Sequence, residues 1–173
     1  MDFLRFWFLL FALSSSLVRA EVVFEAKGWK MGVLLPAEST KKENQNDIMA
    51  SELHTCPFGE GAFLIMRSQI VDEAVREQIK TSPSASRQFI FDLLYKSFCG
   101  EKETKLLRSN DLKMEEFSGK YFQFTQDAGR TVGEFRSFLV ADQIYTFFYI
   151  RSRADAEHPW RAKFFNSISL LGS

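Results

Sequence analysis

Thr131-Val132-Gly133-Glu134-Phe135-Arg136-Ser137-Phe138-Leu139-Val140-Ala141-Asp142-Gln143-Ile144-Tyr145-Thr146-Phe147-Phe148-Tyr149-Ile150 is the stretch that decides the fold. Side chains two apart on a strand share a face. Within 143–150, Ile144, Phe148 and Ile150 therefore point one way, and Tyr145, Phe147 and Tyr149 point the other. Both faces are apolar, and a strand buried on two sides needs a layer above and a layer below. The link Ala141-Asp142 is so short that 131–140 and 143–150 must be antiparallel neighbours.

The same period of two marks residues 104–114 and 120–125, with Asp127-Ala128-Gly129 as a turn. Upstream, Ser82-Pro83 is a helix start: serine caps backbone donors, and proline at the first helical position gives up no needed hydrogen bond. The spacing predicts a helix to Cys99 with Phe89, Leu93 and Leu94 as its buried stripe, prolonged by Phe98 and closed by Gly100. Val75 and Ile79 suggest a short helical turn before it. Residues 48–55 and 62–69 read as a hairpin around Pro57-Phe58-Gly59-Glu60-Gly61. A first hairpin pairs 21–26 with 30–35, ended by Pro36. The polar run 38–47 has nothing to bury and reads as an exposed, mobile loop. From Pro159, the residues Trp160, Phe164, Phe165 and Ile168 are spaced as one face of a helix that docks on the sheet. The expected class is α+β, a mainly antiparallel central sheet of about six to eight strands flanked by helices on both faces, an α/β/α sandwich.

Residues 1–20 read as an export signal, residues 21–173 as one domain. The apolar run after Arg5, about 8 to 13 residues long, is too short for the ~20 that cross a bilayer as a helix. Val18 and Ala20 are the small residues a signal peptidase needs before a cut at Glu21, and an uncleaved anchor is the alternative. The expected product is soluble, periplasmic or secreted, with no transmembrane span after cleavage. The sequence has no Asn-x-Ser/Thr glycan acceptor, which favours a bacterial envelope over a eukaryotic secretory route.

Removing the leader turns 22 basic and 22 acidic residues into 20 and 21. A near-neutral surface gives no counterion-releasing patch for nucleic acid and no basic face for a membrane. The fifteen phenylalanines beyond residue 20 are core material first.

Cys56 and Cys99 are the two cysteines. In an oxidising compartment they can pair, closing a loop of about 43 residues worth a few kcal/mol, or stay as inert thiols. The rival reading makes Cys56 a nucleophile served by His54, but it lacks an orienting third group and an oxyanion site. His54, Cys56, Cys99 and His158 lack the paired spacing of a zinc site, and Gly59 and Gly61 lead into a strand rather than the helix of a phosphate loop. No cofactor is expected. Glu134 and Arg136 share one face of a strand and could form the polar floor of a groove, or else a solvent-facing ion pair. Trp29 beside Gly28 could face a partner or pack in the core.

Four phrases carry a family resemblance: Gly59-Glu60-Gly61-Ala62-Phe63, Ser118-Gly119-Lys120-Tyr121-Phe122, Glu134-Phe135-Arg136-Ser137-Phe138-Leu139-Val140 and Phe164-Phe165-Asn166-Ser167-Ile168. With the order of elements, they resemble the PsbP-like superfamily, named for an extrinsic photosystem subunit, and small exported bacterial proteins of unassigned activity. The resemblance spans most of residues 21–171 and implies an α/β/α sandwich used as an accessory or binding module. It carries over no metal site and no photosynthetic role. The expected function is an exported, non-enzymatic accessory or binding domain of the bacterial cell envelope, with an envelope protein or a small apolar ligand as partner. The alternative is a small-ligand carrier or an unrecognised enzyme with a pocket between sheet and helix.

Overall fold

Seven antiparallel strands form the central sheet in the order β3-β4-β5-β9-β8-β7-β6. The computed structural model describes residues 21–99, 104–152 and 158–171. The leader at 1–20 with its cut site, Gly100 as the closing residue of a helix and the side chain of Phe98 lie outside what is described. The sheet strands are β3 (Thr40–Gln45), β4 (Met49–Phe58), β5 (Gly61–Ile70), β6 (Lys105–Met114), β7 (Phe117–Gln126), β8 (Thr131–Val140) and β9 (Gln143–Ser152). Between β5 and β6 run helices α1 (Glu73–Thr81) and α2 (Pro83–Cys99). A second sheet of three strands, β1 (Val22–Phe24), β2 (Met31–Leu35) and β10 (Ser169–Leu170), is ordered β1-β2-β10, and helix α3 (Pro159–Asn166) lies between β9 and β10.

The two-sided strand is β9, and its alternation sorts the core. Ile144 and Phe148 join Phe122, Phe124, Phe135 and Leu139 under Ile90, Phe91 and Leu94 of α2. Tyr145, Phe147 and Tyr149 join Phe63, Ile65 and Phe138 under Phe164 and Phe165 of α3 and under Phe24, Trp29, Met31, Val33 and Leu35. These are the α2 face and the α3 face. The layer on the α3 face is mostly the small sheet, with α3 its one helix among the described residues. Ile168 is buried just past the end of α3, not on it.

Three local expectations also change. Residues 40–45 form β3, all six exposed, rather than a loop. Hydrogen bonding to the edge of β4 makes that strand, not burial, and Asn46 turns the chain by accepting N–H bonds from Ile48 and Met49 through Oδ1 at 2.9 and 2.7 Å. The buried stripe of α2 is rotated from the expected one: Ile90, Phe91 and Leu94 are buried, whereas Phe89 is 62% exposed and Leu93 is on its outward side. The short turn at Val75 and Ile79 is a nine-residue helix, capped by the Asp72 side chain accepting from Val75 N–H at 2.9 Å.

Gly133 shows how closely the α2 face is filled. A Cβ there would stand 2.3 Å from Cζ of Phe124, a ring with no exposed surface. Gly133→Ala will therefore cost about 1–3 kcal/mol by overpacking, read as a lower urea midpoint at unchanged m-value.

Candidate functional site

Charge is buried on the α3 face of β8, where the strand period places Glu134, Arg136, Phe138 and Val140 side by side. Glu134 is 1% exposed. Its Oε2 accepts the Tyr121 hydroxyl at 2.7 Å and an Arg161 NH2 group at 2.8 Å, and its Oε1 accepts Arg161 Nε–H. Arg161 comes from α3, so a two-pronged carboxylate–guanidinium contact ties the helix to the sheet. Burial, and then the bond to Glu134, pushes the Tyr121 hydroxyl up to about 12, so it serves as a donor throughout the physiological range. Arg136 donates to the Phe165 carbonyl at 3.2 Å and lies 4.8 Å over the Phe165 ring. Burial lowers its basicity, partly offset by Glu134 nearby. The two residues do share one polar face, as the sequence indicates, but α3 roofs it. They are neither the open floor of a groove nor a solvent-facing pair.

A second cluster lies across β3, β4 and β5. Glu52 Oε1 accepts His54 Nε2–H at 2.8 Å and Lys41 Nζ at 3.2 Å, while its Oε2 accepts Arg67 at 3.0 Å. Burial acts to raise the Glu52 carboxyl, but hydrogen bonds from His54 and Lys41 outweigh it and hold the group below its ordinary range. In the neutral ring, with the carboxylate taking Nε2–H, Nδ1 of His54 accepts from the Ser39 hydroxyl, 3.3 Å away. Hydroxyl, imidazole and carboxylate stand in the order of a proton relay. The ring is nevertheless held edge-on by Phe24 at 4.6 Å and Trp29 at 5.6 Å, and the carboxylate also carries two cations. Through these two ring contacts the β1–β2 layer packs on β4.

Trp29 is 5% exposed, with Phe24, His54 and Tyr145 around it, and is a core residue rather than a partner-facing one. Cys56 lies in the α3-face core and Cys99 in the α2-face core. The sheet stands between them and no disulfide joins them, which corrects the pairing considered from sequence. Nor does His54 serve Cys56, whose thiol points to the Ala37 carbonyl at 3.4 Å. Burial pushes the Cys99 thiol up to about 12. Both cysteines will resist an aqueous thiol reagent in the folded protein and react together on unfolding. A mass two hydrogens short under non-reducing conditions would refute this.

A cleft of about 430 Å³ opens between α1 and the β8–β9 turn, lined by Glu73, Arg76, Glu77, Ile79, Lys80 and Asp142 with Ala141. Lys80 is bonded to Glu77 at 2.5 Å. The lining is mostly charge of both signs, poorly suited to the apolar ligand considered from sequence. No helix among the described residues is long and apolar enough to cross a membrane.

Sequence reasoning reached Glu134 and Arg136 through strand parity. It missed Arg161, Tyr121, Glu52 and Arg67, because their roles depend on pairing between elements. One signal was available: a carboxylate at an inward position of a two-sided strand demands a cation from the covering layer.

No protein-family model and no curated protein matches the sequence. Solved structures do match. Cyanobacterial PsbP (CyanoP) from Synechocystis superposes with a TM-score of 0.59 at 8% identity, over 93% of this chain and 98% of that one. A Pseudomonas aeruginosa protein of unknown function gives a TM-score of 0.47 at 13% identity, over 82% and 90%. At such identity the likeness speaks for architecture alone. A seven-stranded antiparallel sheet, a three-stranded sheet and three helices, in the arrangement shared with CyanoP, give this α+β chain the PsbP-like fold.

Proposed function

We propose that the chain is an exported accessory domain that acts by binding a protein partner of the bacterial envelope, without chemistry of its own. In this reading residues 1–20 are a cleaved leader, and 21–173 operate as one domain in the periplasm or outside the cell. One observation carries it: both inward-facing ionic clusters are engaged within the fold. Glu134 is taken up by Tyr121 and by Arg161 of α3, which ties that helix to the sheet, and Glu52 is taken up by His54, Lys41 and Arg67 within β3, β4 and β5. What is left for recognition is the outer surface, where Phe89 stands out of α2 at 62% exposure.

The test has two parts. Produced from its complete reading frame in a Gram-negative host, the protein should be recovered from the periplasm with a mass beginning at Glu21. Cytosolic material retaining Met1 would sink the export reading. With the native host, Phe89→Glu should abolish copurification of a reproducible envelope partner while leaving the unfolding midpoint unchanged. Retention of that partner would rule out α2 as the binding surface.

A further inference from the structure

The first turn of α3 carries Arg161, the cation on which buried Glu134 depends, and that turn hangs on a titratable group. His158 occupies the N-cap position with φ −59° and ψ 135°, and its Nδ1 accepts the Trp160 N–H at 3.2 Å. Pro159, at the first helical position, has no N–H, and the Arg161 N–H is taken by the His158 carbonyl at 2.9 Å. Trp160 is thus the donor of this turn that relies on a side chain, and the side chain is an imidazole.

We propose that His158 is a proton-sensitive cap that fastens the first turn of α3, and with it Arg161 on Glu134, only while its ring is neutral. Protonation turns Nδ1 from acceptor to donor, leaving two N–H groups facing each other. It also sets a positive charge at the positive end of the helix dipole. Both effects have the same sign.

The His158 ring meets Phe58 of β4 edge-on at 5.2 Å, and Trp160 packs on the same Phe58 at 6.2 Å. Beyond Phe58, the β4–β5 turn brings the exposed carboxylate of Glu60. β9 sends in Arg151, whose guanidinium lies against Gly59. α3 itself adds Arg161, committed to Glu134, and Lys163, which is bonded to Glu21 and lies 4.7 Å over the Trp160 ring. The three cations among these described groups are matched by three carboxylates, Glu60, Glu134 and Glu21. The cap holds with the neutral ring and is lost as the ring takes up its second proton.

Amide hydrogen exchange of the full chain tests this. Corrected for intrinsic rates, protection of the Trp160 amide should fall about fivefold from pH 8 to pH 5, the loss of one cap, while β8 and β9 amides keep theirs. His158→Asn supplies a cap that does not titrate, and its Trp160 protection should stay level over the same interval. Equal protection of the native protein at both pH values would overturn the proposal. So would an equal fall in His158→Asn, since the titrating group would then lie elsewhere.

Discussion

Phe135→Ala will lower the unfolding free energy by about 4 kcal/mol, one of the two largest single-residue losses we expect in this chain. Phe135 has no exposed surface and stands at the centre of the α2 face, 4.9 Å from Phe122, 6.4 Å from Phe124 and 5.8 Å from the parallel ring of Phe148. Three of its neighbours are rings on strands fixed in register by β7, β8 and β9, so the gap cannot close by moving one side chain. Urea denaturation at constant m-value will report the loss. A cost below about 2 kcal/mol would mean that α2 settles into the cavity and that this face is more loosely packed than its ring distances require.

Arg161→Ala will cost about 3–5 kcal/mol, for a different reason. The arginine side chain is 30% exposed, but its partner is not: the Glu134 side chain, at 2%, would be left charged under α3 with the Tyr121 hydroxyl as its remaining hydrogen-bond donor in this trio. The penalty is that of a stranded carboxylate, and the attraction lost is the smaller part. A control separates the two. Combining Arg161→Met with Glu134→Leu and Tyr121→Phe removes every polar member of the trio and should recover most of the lost stability. If the triple variant is as unstable as Arg161→Ala, the loss comes from packing of α3 and not from a buried charge.

How far the fold is legible in the sequence follows from what each element uses to hold itself together. Strands β7 to β9 were readable because burial shapes their sequences, whereas β6, which buries no residue, was readable from its period of two alone. β3 was not readable, because Thr40–Gln45 buries nothing and exists by hydrogen bonding to β4. The helix at Pro83 was correctly started by its Ser-Pro signal, yet its stripe came out rotated. Phe89 is as apolar as Phe91, and composition cannot say which of two phenylalanines faces the sheet. The candidate site shows the same limit. Parity put Glu134 and Arg136 on one face, but Arg161 is 27 residues away on another element. The separation of Cys56 from Cys99 by the thickness of a sheet is likewise a property of layers, not of spacing along the chain.

β2 pairs on one side with β1 and on the other with β10, through Ser169↔Gly32 and Leu170↔Met31, and Lys163 reaches back to Glu21. The roof over the α3 face is thus knitted from opposite ends of the polypeptide, and contacts so distant in sequence must wait for the whole chain. Until residues 159–171 have been made, Phe63, Phe147 and Tyr149 lack the cover of α3, and that face of the sheet stays open.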